Sequence, residues 1–179
     1  MKLDFIKYNT FKNFLKDAGH PYLNMPLALR IEQVQLLKYL LSRNIIYYKH
    51  ENRNCGISTL LQYFTIWNLV FNSKDILFCH SEYSRCCSNA DTIAGFVQSL
   101  FGKTISENLM NKRAWANIKI SQNSLINMTT ADDPRLTLDK RNTILIIDDD
   151  KNFKAISVCL RLNPVLSKFH MSIVIEPQT

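Results

Sequence analysis

Residues Glu51–Phe64, "ENRNCGISTLLQYF", decide how the rest of the chain is read. A short polar loop with one glycine, Gly56, runs into a segment whose apolar residues recur at helical spacing. A helix N-terminus offers N–H groups without intrahelical partners and the positive end of the helix dipole. Such a loop therefore holds phosphate without any special side chain. Gly56 permits close backbone approach, and Ser58 or Thr59 carries a hydroxyl suited to Mg²⁺. In the general phosphate-loop pattern, glycine, four residues, glycine, lysine and then serine or threonine, the first glycine position is Glu51 and the lysine position is Ile57. Two readings stand on these residues: a phosphate loop with altered charge, or a serine-capped helix behind a polar turn.

Working outward, "NIIYYKH" before the loop reads as a buried strand, and "IEQVQLLKYLLSR" before that as a helix with a leucine face. Helical spacing also marks Phe5 to Ala18. Beyond the loop helix, "DILFCHS" is a second strand, and Ser84 opens a helix that Gly102 ends after Phe101. Ser106 to Asn117 reads as helix, and "IKISQNSLINMTT" as a hairpin or two short strands. "NTILIIDDD" is an apolar run ending in acids, the pattern of a strand buried on both faces. Asn152 to Leu166 reads as helix and "MSIVIEP" as a closing strand. Strands alternating with helices predict an α/β fold, a mostly parallel sheet with helices on both faces. Ligands of such sheets bind beyond the carboxyl ends of the strands. The Glu51–Ser58 loop, Asp148–Asp150 and Glu176 all fall at such ends.

Composition sets the outer bounds. With 179 residues, 46% of them hydrophobic, and only four glycines and five prolines, the chain suits one compact domain without a low-complexity linker. No apolar run reaches bilayer length and the first residues lack a signal-peptide core, so the expected compartment is a cytoplasm, with no membrane partner. The five cysteines form an odd set without zinc-ligand spacing and read as reduced thiols. A net charge of +7 is compatible with a polyanionic partner, although the charges are scattered rather than clustered.

The acids at the end of "ILIIDDD" have a specific use beside a phosphate loop. The first can hold a metal ion, and the second can orient and deprotonate an attacking water. The bland reading, a solvated acidic turn before a helix, weighs about equally on these residues alone.

From Leu29 to Pro177 the motifs, in order, resemble the ATPase part of the large terminase subunit of tailed phages, particularly the T-even type. "LRIEQVQLLKYL" resembles that family's glutamine motif, and "NRNCGISTL" its Arg-Gln-x-Gly-x-Ser-Thr-Leu loop. "NSLINMTTADDPRL" resembles the segment before the acidic strand, "ILIIDDD" the Asp-Glu strand, and "LNPVLSKFHMSIVIEP" the approach to the coupling motif. The resemblance implies an additional-strand (ASCE) P-loop NTPase over residues 29–179, and residues 1–28 ahead of it read as a helical and loop extension. It implies that Asn54, Cys55, Gly56, Ile57, Ser58 and Thr59 form the nucleotide loop and that Gln33 reads adenine. Ser58 and Asp148 would hold Mg²⁺, Arg53 would stabilise γ-phosphate charge, Asp149 would be the base, and Glu176 stands at the coupling position. It implies ATP and Mg²⁺ as cofactors. The implied setting is the cytoplasm of an infected bacterial host. The implied partners are double-stranded DNA, other terminase subunits or a nuclease-bearing polypeptide, and the capsid portal.

The departures are chemical. Ile57 replaces the loop lysine, Lys49 is displaced from the alternative lysine position, Glu51 repels phosphate, and Asn54 stands for glutamine. Asp149 is one methylene short of glutamate, setting its carboxylate ~1.5 Å back. Leu136 stands where a glycine follows the arginine. The family's second ATPase subdomain and nuclease domain are not legible in these residues. The alternative expectation is therefore a weakened or inactive terminase-fold module, an assembly partner or one part of a split terminase.

Overall fold

The computed structural model describes residues 2–19, 28–50, 55–80, 83–114, 117–120, 122–128, 140–148 and 166–177. Among the described residues, five helices precede or interleave with the strands: α1 (Phe11–Ala18), α2 (Ile31–Leu40), α3 (Ile57–Val70), α4 (Tyr83–Phe101) and α5 (Lys103–Leu109). The strands are β1 (Ile45–His50), β2 (Asp75–Cys79), β3 (Met110–Ala114), β4 (Asn117–Ile120), β5 (Asn123–Met128), β6 (Lys140–Asp148) and β7 (Phe169–Pro177). They form one sheet in the order β1-β7-β6-β2-β5-β4-β3. The first five strands in that order are parallel, and β4 and β3 complete an antiparallel meander.

The central strands read as uninterrupted apolar runs because both their faces are covered. Thr143 to Ile147 of β6 and Ile76 to Cys79 of β2 are all buried. One face, carrying Ile76, Phe78, Ile144, Ile146, Ile173 and Ile175, joins a continuous core with α1 to α4. Leu77, Leu145, Ile147 and Val174, which alternate with these, are buried too. The α/β fold with helices flanking a mostly parallel sheet is thus as the periodicity predicts.

Local differences have physical causes. β1 is an edge strand, not a strand buried on both faces. Ile46 and Tyr48 enter the core while Ile45 and Tyr47 are exposed, the alternation expected of a half-covered edge. The helix predicted over Ser106–Asn117 stops at Leu109, and Met110–Ala114 pairs with β4 instead. Helix-favouring Lys112, Arg113 and Ala114 yield there to the sheet ladder, a tertiary override of local propensity. Near the start, Phe5–Tyr8 forms a turn and α1 begins only at Phe11, because the Thr10 hydroxyl caps it by accepting from the Asn13 N–H at 3.3 Å. α1 then packs into the main core. Phe11 and Phe14 are fully buried, the Trp67 indole donates to the Tyr8 carbonyl at 2.9 Å, and Tyr63 donates to Gly19 at 2.8 Å. The helix read over Asn152–Leu166 lies, up to residue 165, outside the described residues, as does the 129–136 part of "NSLINMTTADDPRL".

Candidate functional site at the carboxyl ends of β1, β7 and β6

The sheet order places the three polar strand ends side by side. β7 lies between the loop strand β1 and the acidic strand β6, all parallel. His50 is in register with Pro177, Lys49 with Glu176, and Ile175 with Asp148. With strands about 4.8 Å apart, the loop root, Glu176 and Asp148 share one end of the sheet. Asp148 follows Ile144 and Ile146 on the face that packs against α3, so its half-buried carboxyl belongs to the side where the loop helix begins.

Glu176 and Lys49 belong to the other face. They alternate with Ile175 and Tyr48, which enter the α3-side core, and they pair with each other at 3.3 Å. Lys49 is thus engaged by Glu176 rather than turned toward the start of α3.

The start of α3 departs from a serine-capped helix. Gly56 is the N-cap, with φ +80, and its carbonyl accepts the first intrahelical bond from Leu60 N–H at 3.0 Å. The N–H groups of Ile57, Ser58 and Thr59 precede that bond and form the N-terminal end of the helix, the end that carries the positive pole of its dipole. Ser58, in the first turn, is exposed, and Thr59 is half-buried. Ile57, where a phosphate lysine would stand, is only 3% exposed and belongs to the core. It gives the loop an anchor and no cation.

Both roots of the loop are tied down. The Gln33 amide, buried in α2, accepts from Arg30 N–H at 2.9 Å and donates to the Gly56 carbonyl at 2.8 Å. Tyr48 on β1 donates its hydroxyl to the Glu32 carbonyl at 2.9 Å, and burial, with Cys55 and Glu32 adding to it, pushes its phenol above the usual range. The Cys55 thiol lies 3.6 Å from His50 Nδ1. The first turn of α2 therefore holds the strand before the loop and the residue that ends it. Arg53, Asn54 and Asp149, with Glu51, lie outside the described residues.

Two features went unread in the sequence. His80 follows β2 directly. Because Cys79 is in register with Ile147, His80 stands level with Asp148, and it stacks on Phe78 with ring centres 4.8 Å apart. Its signal was its position, the last ring before the turn in "DILFCHS". One turn beyond Ser58 on α3, Gln62 donates to Asn89 of α4 at 3.0 Å, joining the two helices beside the site. No spacing rule links residues so far apart in sequence.

Among the described residues, no three His, Cys, Asp or Glu side chains gather as a cation site. Ser58 and Asp148 nevertheless supply two hard oxygen donors at one end of the sheet. That set fits Mg²⁺, which keeps several waters and takes few protein ligands.

No protein-family model matches the chain, and no curated protein does. The crystal structure of the HK97 bacteriophage large terminase superposes on 97% of this chain with a TM-score of 0.65 and 8% sequence identity. The fold is terminase-like. The aligned part is 38% of that terminase's chain, so the present chain spans well under half of its length. At such identity the likeness carries the architecture alone.

Proposed function

We propose that this terminase-like domain binds ATP with Mg²⁺ at the carboxyl ends of β1 and β6 and couples hydrolysis to the packaging of double-stranded DNA. The observation that carries the reading is that the left-handed Gly56 heads α3 while Asp148 ends β6 at the same end of the sheet and on the α3-side face, with only β7 between β6 and β1. Backbone N–H groups of Ile57, Ser58 and Thr59 would bind phosphate oxygens, the Ser58 hydroxyl and the Asp148 carboxylate would hold Mg²⁺, and Arg53 would stabilise charge on the γ-phosphate. Bound Mg²⁺ supplies neutralisation of phosphate charge. Asp149 orients the attacking water and takes its proton. Glu176, held by Lys49, stands where the site would communicate with a DNA-moving element. The partners are double-stranded DNA, other terminase subunits or a nuclease-bearing polypeptide, and the capsid portal, in the cytoplasm of an infected bacterium.

Buried Ile57 favours a second reading, a terminase-fold module that hydrolyses slowly or not at all and serves as an assembly partner or one part of a split terminase. One experiment separates the two. ATP binding and hydrolysis are measured with Mg²⁺, with and without double-stranded DNA, for the wild type, Asp148→Ala and Arg53→Ala. Hydrolysis lost in either variant supports the ATPase. Absence of nucleotide binding in the wild type sinks it.

A further inference from the structure

We infer that Gln33 positions the phosphate loop and leaves the nucleoside base unread, so that the site takes nucleoside triphosphates for their polyphosphate and discriminates poorly among bases. This deepens the nucleotide-binding reading above and rests on it.

Reading adenine with a glutamine amide requires its oxygen and its N–H to be presented together to the ligand's edge. Here the oxygen accepts from Arg30 N–H at 2.9 Å and the nitrogen donates to the Gly56 carbonyl at 2.8 Å. The residue is only 5% exposed, which leaves almost no amide surface for a base.

The same geometry shows what the amide does instead. It lies flush on the Gly56 backbone: a Cβ at Gly56 would stand 2.6 Å from Gln33 Nε2. The Gly56 carbonyl that it engages also accepts the first hydrogen bond of α3, from Leu60 N–H at 3.0 Å. Gln33 thus fixes the peptide from which the phosphate-facing N–H groups of α3 project. Its other end closes the first turn of α2, which Tyr48 ties to β1 through the Glu32 carbonyl. The loop is spanned by one rigid bracket, and its buried hydrogen bonds support one another.

The test uses two variants. Gln33→Met keeps length and removes both hydrogen bonds without adding charge. Gln33→Glu keeps the acceptor for Arg30 N–H and loses the donor to Gly56. Affinities for ATP, GTP and inorganic tripolyphosphate are measured by calorimetry, and backbone hydrogen exchange is followed in the ligand-free proteins. The expected result is that Gln33→Met weakens all three ligands by the same factor, about tenfold for one lost buried hydrogen bond. Exchange at residues 60–63, the first hydrogen-bonded N–H groups of α3, accelerates in both variants, while the first turn of α2 stays protected in Gln33→Glu. A loss confined to ATP, a wild type that prefers ATP over GTP by about a hundredfold or more, or unchanged exchange at residues 60–63 overturns the inference. If the wild type binds none of the three ligands, the nucleotide reading fails, and the exchange measurement by itself decides whether Gln33 is the bracket.

Discussion

Gln33 Nε2 donates a hydrogen bond to the Gly56 carbonyl at 2.8 Å across 23 residues of sequence, and a Cβ at Gly56 would stand 2.6 Å from that nitrogen and displace the amide. With φ +80, Gly56 also has a backbone that L side chains rarely adopt. Gly56→Ala is therefore expected to lower unfolding stability by about 2–4 kcal/mol, combining left-handed strain with steric displacement of the amide. Urea denaturation of both proteins checks this, and a change under about 0.5 kcal/mol would show that the loop relaxes freely.

Lys49 and Glu176 form an ion pair whose lysine side chain is 60% exposed. Exposed pairs contribute little, so Lys49→Ala is expected to change stability by less than about 1 kcal/mol, and less still at high salt. Because Lys49 alternates onto the face away from α3, the same variant should leave nucleotide affinity unaltered. A tenfold loss of affinity would place the ammonium among the phosphates instead.

Thr65 is fully buried in α3, and its hydroxyl has no hydrogen-bond partner among the described residues. Thr65→Val keeps the shape and removes the desolvated oxygen. It should raise stability by about 1–2 kcal/mol in thermal or urea unfolding. An equal loss would reveal a partner for that hydroxyl.

Phe14 is fully buried, its ring facing Tyr8, Tyr63 and Phe71. Phe14→Ala should cost about 3–5 kcal/mol, as for any large core aromatic, although the residue lies ahead of the strands. A cost under about 1 kcal/mol would mean that α1 is dispensable to the main core.

Burial pushes the Cys86 thiol from 9.0 up to about 11, and the residue is fully inaccessible. The folded state therefore holds that proton more tightly than the unfolded state. The contribution is complete below pH 9.0 and is lost as pH rises through about 11. Unfolding of wild type and Cys86→Ala across this window should show the wild type losing more stability. At pH 8, iodoacetamide should modify the half-exposed Cys87 before Cys86, as read by peptide fragmentation.

Much of this was written in local patterns. The apolar run "NTILII" announced a strand covered on both faces, since alternation disappears when neither face meets water. The polar loop, glycine and amphipathic run of "NRNCGISTLLQYF" announced a helix whose N-terminus faces a loop. What misled was equally local. "ENLMNKRAWAN" has good helix formers, yet β4 offers the stretch a partner strand, and ladder hydrogen bonds outweigh small propensity differences. "NIIYYKH" has the composition of a central strand, but composition does not say which strand lies at the edge.

By itself, the sequence determined most of the described strands and helices, that they alternate, and that Asp148 and the loop ahead of Gly56 lie at strand ends. Burial periodicity and turn chemistry act over a few residues and are readable there. Only the tertiary structure decided that β7 enters between β1 and β6, and that Asp148 and His80 stand level on the α3 side while Lys49 and Glu176 turn to the other. It alone joined Gln33 to Gly56. These relationships depend on strand order and register, which long-range packing sets and no short window of residues encodes.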